Sequence, residues 1–89
     1  MKAKRERLDV ISDVLKTVQD KGRIGPTRLL QLSNLSPQMF RHYLSELLES
    51  GLIEESQEKG KKLYSVTDKG CIFLERHRIF SDFVGQLGL

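Results

Sequence analysis

A mainly α-helical fold with one small β-hairpin, in the α+β class, is what this 89-residue sequence predicts, and three observations carry the prediction. Apolar residues recur at three- and four-residue steps along the stretches that would be helical. Proline, serine, threonine and glycine fall where helices start and stop. Two short strands then flank a lysine-rich turn, Glu58-Lys59-Gly60-Lys61. Read from Pro26 to Val66, the order is short helix, turn, longer amphipathic helix and hairpin. That order is a winged helix-turn-helix, here with a further C-terminal helix, and its commonest use is to place one helix in a DNA groove.

The first helix is predicted from about Arg5 to Asp20, with Leu8, Ile11, Val14, Leu15 and Val18 in one apolar stripe. Lys21-Gly22 ends it, because glycine takes the left-handed cap conformation without a steric penalty. Arg23-Ile24-Gly25 is a candidate short strand. Pro26-Thr27 opens the second helix, whose apolar positions are Leu29, Leu30 and Leu32. Ser33-Asn34-Leu35 is the turn, with Leu35 plugging the space between two helices.

Ser36 caps the third helix and Pro37 is preset for its first position. Helical phase puts Phe40, Leu44 and Leu47 at the centre of its buried stripe, with Tyr43 and Leu48 on the flanks. Gln38, His42, Ser45 and Glu49 point away, with Met39 and Arg41 at the margins, and Gly51 stops the helix. Leu52-Ile53-Glu54 and Leu63-Tyr64-Ser65-Val66 are the predicted strands. Thr67 caps the fourth helix, Asp68 suits the positive end of its dipole, and the helix runs to about Gly85. Gly70 is unfavourable there by about 1 kcal/mol relative to alanine, which points to close packing. Phe73, His77, Phe80, Val84 and Leu87 follow a 4-3-4-3 heptad spacing, broadened by Ile79 and Phe83. Residues 1–66 thus read as the winged helix-turn-helix with a basic N-terminal arm, and 67–89 as its C-terminal helix, all within one compact domain.

The net charge of +3 resides in residues 1–7, where Lys2, Lys4, Arg5 and Arg7 outnumber Glu6. The rest of the chain is balanced, so a nucleic-acid-binding face has to come from segregated charge. Glu46, Glu49, Glu54, Glu55 and Glu58 follow the front half of the third helix, while Arg23, Arg28, Arg41, Lys59, Lys61 and Lys62 lie elsewhere.

Several short motifs, taken in order, resemble a known family. They are Asn34-Leu35-Ser36, Tyr43-Leu44, Leu52-Ile53, Lys62-Leu63-Tyr64, Val66-Thr67-Asp68-Lys69-Gly70 and Phe73-Leu74-Glu75. Together they are similar to the small archaeal winged-helix DNA-binding proteins of the ten-kilodalton chromosomal-protein class, over Leu8 to Leu87. The resemblance implies a homodimer joined through the last helix, with two winged-helix heads on double-stranded DNA. Gly85 and Gly88 interrupt the end of that helix. The expected dimer is therefore compact, through Phe80, Phe83, Val84 and Leu87, with Phe73 and His77 further along the seam.

The candidate reading surface is Ser36, Gln38, Arg41, His42 and Ser45. Arginine suits guanine and glutamine suits adenine in the major groove, while Ser36 and neighbouring N–H groups suit a phosphate. An ordinary solvated helix face is the alternative. Arg23, Arg28, Lys59, Lys61 and Lys62 are candidate backbone contacts, with the wing lysines open to a second reading as a solubilised turn. The N-terminal cations would add salt-sensitive attraction, or form a disordered terminus.

Other classes find little support. The sequence shows no glycine-rich phosphate loop, metal-spaced ligand set or nucleophile with a base, so an enzyme is not expected, nor a cofactor or metal. A lone Cys71 forms no intramolecular disulfide. No apolar run approaches the roughly 20 residues of a membrane span, and no apolar signal core follows the N-terminus. The expected setting is cytoplasmic and nucleoid-associated. The rival expectation is a protein-interaction winged helix, motivated by the balanced body and the acidic rear of the third helix.

Overall fold

The computed structural model describes the backbone of residues 2–88 and the side chains of residues 7–88. Its elements are α1 (Lys2–Lys21), α2 (Pro26–Ser33), α3 (Pro37–Glu49), β1 (Ile53–Glu58), β2 (Lys61–Val66) and α4 (Asp68–Gln86). α1 begins ahead of the predicted start and takes in the backbone of the basic arm. The side chains of Lys2, Lys4 and Arg5 lie outside the described residues.

The core is built from the apolar stripes read in the sequence. Ile11, Val14, Leu15 and Val18 of α1 are buried together with Ile24, Leu29, Phe40, Tyr43, Leu47, Leu52, Ile53 and Tyr64. Two positions differ from expectation in α1 and α2. Leu8 is 42% exposed and Leu32 is 39% exposed, because each lies at the margin of its helix's inward face. In α3, Tyr43 takes a central place and Leu44 is only half-buried, a small rotation of the stripe toward Phe40, Tyr43 and Leu47.

The stop signals act as local chemistry requires. Gly22 has φ +77° and its N–H donates to the Val18 carbonyl at 2.9 Å, closing α1. Asn34, at φ 60°, terminates α2 in the left-handed region, which asparagine tolerates better than most residues. The Arg23-Ile24-Gly25 strand contracts to one bridge. The Ile24 N–H donates to the Tyr64 carbonyl at 3.1 Å, and the Tyr64 N–H donates back at 2.8 Å.

The hairpin is longer than its apolar residues suggest. β1 and β2 pair antiparallel from Ile53 opposite Val66 to Glu58 opposite Lys61. Lys59 and Gly60, at φ 53° and 77°, make the two-residue connection, a positive-φ turn whose twist matches that of the strands. Beyond Tyr64 the strands have no core to face, so their outer halves are charged and lack the apolar alternation that marks a strand in a sequence.

At the start of α4, the Thr67 side chain accepts from the Gly70 N–H at 3.1 Å while its own hydroxyl donates to the Gly51 carbonyl at 2.6 Å. Gly70 is buried against the preceding chain. A Cβ there would meet the Leu52 carbonyl oxygen at 2.2 Å and Val66 Cγ1 at 2.6 Å, whereas one at Gly85 would meet nothing within 4 Å. Gly70→Ala is therefore expected to destabilise the protein by about 1–3 kcal/mol through overpacking. Gly85→Ala should be neutral or stabilising by up to about 1 kcal/mol. Urea unfolding of both variants checks the contrast, and equal stability would show that the Leu52 junction does not constrain α4.

Candidate nucleic-acid interface

The third helix is held by its cap and its buried face. Ser36 sits in extended geometry and its hydroxyl oxygen accepts from the Met39 N–H at 3.2 Å, with Pro37 in the first turn. Phe40, Tyr43 and Leu47 anchor the helix to the core. Gln38, Arg41, His42 and Ser45 are all exposed on its outer side, joined by Met39 at 45% exposure. Donors of differing length and an apolar thioether thus share one surface, a mixture suited to groups with both polar edges and methyls.

The acidic rear of α3 is partly quenched. Arg7 Nη2 of α1 donates to Glu46 Oε2 at 2.5 Å, and His42 Nε2 lies 3.9 Å from the same oxygen. Glu46 Oε1 is buried with no hydrogen-bond partner among the described residues. Arg7 therefore does not belong to a free basic arm: it neutralises a carboxylate that would otherwise face an approaching polyanion. The His42 ring meets Tyr43 edge-on, with centroids 5.4 Å apart, so a buried residue backs the exposed imidazole. Spacing alone shows His42 and Glu46 one turn apart, but nothing local marks Arg7 as their neighbour.

The expected backbone contacts divide into paired and unpaired cations. Arg23 Nη1 donates to Glu58 Oε2 near the hairpin tip, and Lys62 Nζ lies 3.9 Å from Glu55 Oε2. Arg28, Arg41, Lys59 and Lys61 are exposed and have no ion pair among the described residues. Glu58 and Glu55 thus each hold one cation at the hairpin. Tyr64 forms the base of the hairpin, directly opposite Glu55 in the register. Its burial, and secondarily the Glu55 charge, raises its phenol above the usual 10.0.

The heptad seam of α4 is covered in its first half and exposed in its second. Gly70 is buried and Phe73 packs against the core. The His77 imidazole stacks on Phe73 at 6.0 Å and approaches Asp9 of α1 at 3.5 Å. Phe73 and His77 are consequently occupied within the chain, because the same helix must cover α1. Ile72, Ile79, Phe80, Phe83 and Leu87 are exposed, Phe80 at 62%. At 100° per residue, Phe80 and Leu87 stay within about 40° of the Phe73 line, while Ile72, Ile79 and Phe83 lie roughly 80–120° from it. Val84, half-buried, continues the line of Phe73 and His77.

Among the described residues no group of three or more His, Cys, Asp or Glu side chains can hold a metal ion. No helix among them is long and apolar enough to cross a membrane. Cys71 is exposed on α4, and its sulfur accepts from Gln19 Nε2 at 3.6 Å.

Comparison with known proteins gives three findings. The winged helix-turn-helix family matches residues 4–84. The fold is similar to that of Sso10a-2, a DNA-binding protein from Sulfolobus solfataricus, with a TM-score of 0.74 and 21% identity over 90% of this chain and 82% of that one. It is also similar to SSV1 F-93, with a TM-score of 0.69 and 24% identity over 89% of this chain and 88% of that one. Both likenesses are likenesses of fold. Comparison with curated protein sequences gives no match.

The Tyr64 environment makes a test of the hairpin base. Folding holds the phenol neutral beyond the pH at which the unfolded chain ionises it. Its contribution to stability is therefore complete below pH 10.0 and is lost as the pH rises above it. In a Tyr43→Phe variant, absorbance titration should show Tyr64 ionising above free tyrosine, with urea stability falling over the same range. Titration at the free-tyrosine position would contradict a buried hairpin base.

Proposed function

This chain belongs to the winged helix-turn-helix family, and on that premise we propose that it binds double-stranded DNA as a homodimer, in the role of a transcriptional regulator or chromosomal protein. The observation that carries the reading is the outer side of α3. Gln38, Arg41, His42 and Ser45 stand clear of the core, while Arg7 quenches the Glu46 charge behind them. A front-loaded surface of this kind is what a major groove accepts: side chains for base edges, and no uncompensated carboxylate beside the leading turn. Residues 1–66 are the DNA-binding part in this reading, and 67–89 the dimerising helix.

Affinity comes mainly from phosphate contacts, with Arg28, Arg41, Lys59 and Lys61 the cations available at once. Ser36 and the N-terminal turn of α3 add donors to a phosphate. Self-association uses the outer stripe of α4, with Phe80, Phe83 and Leu87 at its centre and Val84 at its edge. Phe73 and His77 support it from within the chain. A fully buried phenylalanine contributes about 2 kcal/mol, so a pair from each protomer suffices to hold a dimer. DNA association would place the protein in the cytoplasm with the nucleoid. The protein is not an enzyme in this reading. The same stripe on a chain whose other charges are balanced also suits a protein-interaction module, and that reading predicts a monomer without affinity for DNA.

Fluorescence anisotropy with mixed-sequence duplexes at several salt concentrations, beside a mass determination, tests the proposal. A dimer with steeply salt-dependent affinity is expected. Arg41→Ala with His42→Ala should weaken binding about ten- to a hundredfold while leaving the fold intact. A folded double variant with unchanged affinity would refute α3 as the docking face. Phe80→Ser with Phe83→Ser should raise the dimer dissociation constant by at least about a hundredfold, seen by sedimentation, and an unchanged mass would refute the α4 interface.

A further inference from the structure

The pairing of Arg23 with Glu58 is at odds with simple phosphate binding by every cation near the hairpin. Arg23 precedes α2, and Ile24 beside it is fixed to Tyr64 by two backbone hydrogen bonds. The Arg23 guanidinium is thereby anchored at its root, yet its head is held by the carboxylate of Glu58 at the outer end of β1. Glu58 also lies directly opposite Lys61 in the strand register, but among the described residues its carboxylate pairs with Arg23 alone. Lys59, between them at the tip, has no ion pair among the described residues.

We propose that Glu58 is an internal counterion that occupies the phosphate site of Arg23, and that DNA binding displaces it. The proposal rests on the DNA-binding reading given above. Both partners of the pair are 59% exposed, and an exposed pair of this kind is weak and easily exchanged. A phosphate offers the guanidinium the same bidentate oxygen geometry as the carboxylate it replaces. Displacement leaves Glu58 unpaired close to the duplex, so the site binds phosphate less tightly than Arg23 would alone. Glu58 thereby lowers nonspecific affinity and makes the hairpin respond to local phosphate density. Glu55 holds Lys62 on the other face of the strands, so a second cation of the hairpin is restrained by a separate carboxylate.

Two explanations for an effect of Glu58 are separable. If it masks Arg23, its removal acts only while Arg23 is present. If it merely repels DNA, its removal acts equally without Arg23. A double-mutant cycle decides between them. Wild type, Glu58→Gln, Arg23→Gln and the double variant would be titrated with a mixed-sequence duplex across salt concentrations, with thermal melting as a control for folding.

Glu58→Gln is expected to bind more tightly at low salt and to gain about one released counterion in its salt dependence. Between 50 and 200 mM salt it should lose about 3.5-fold more affinity than wild type, from a slope of roughly 0.9 per phosphate. The double variant should match Arg23→Gln. An equal gain in the Arg23→Gln background, or an unchanged salt slope in Glu58→Gln, would overturn the masking role while leaving DNA binding intact. Binding by none of the four proteins at low salt would overturn the DNA-binding reading, and the masking role with it.

Discussion

One junction holds the three structural units in register. α3 ends at Glu49, β1 begins at Ile53, and α4 starts at Asp68, and all of them meet around the Leu52 backbone. The Thr67 N–H donates to the Leu52 carbonyl at 3.1 Å, and its hydroxyl donates to the Gly51 carbonyl at 2.6 Å. Lys69 Nζ donates to the Ser50 carbonyl at 2.7 Å. The carbonyls of the turn after α3 are thus satisfied by the start of α4, while the Glu46, Leu47 and Leu48 carbonyls accept from the N–H groups of Ser50, Leu52 and Gly51. Gly70 allows that approach because no Cβ stands between α4 and the Leu52 carbonyl. From this junction follow the exit of the hairpin, the seating of α4 on α1 and the outward presentation of α3.

Electrostatics on this scaffold works by pairing as much as by net charge. The balanced body carries Arg7 against Glu46, Arg23 against Glu58 and Lys62 against Glu55, each bringing together distant or facing elements. Individually such exposed pairs add little to stability. Their effect lies in which cations they leave available. Arg28, Arg41, Lys59 and Lys61 carry a usable positive field, and the others are held in reserve behind carboxylates. A polyanion approaching this surface meets a subset of the cations counted in the sequence.

α4 serves two packing duties at once. Its inward side, with Gly70, Phe73 and Leu74, covers α1 and the core, and His77 continues that side toward Asp9. Its outer stripe keeps large apolar residues in solvent, and contiguous exposure of that kind on a small protein usually marks an interaction surface. A helix of 19 residues is long enough for both because its inward contacts concentrate in the first half.

The order of elements, their caps and most of the core were legible in the sequence. Ser36-Pro37, Thr67 and Gly22 act on backbone groups within a few residues, and Ile11, Val14, Leu15 and Val18 report their burial by spacing alone. Gly70 was legible for the same reason, as a costly residue inside a helix. The exposed side of α3 followed from helical phase. Tertiary structure alone decided which charges meet: Arg7 and Glu46 are 39 residues apart, and Arg23 and Glu58 are 35 apart. It also extended the hairpin into charged sequence, and left the second half of the heptad seam uncovered. Local periodicity encodes which residues leave water; it carries no record of which distant side chain is waiting when they do.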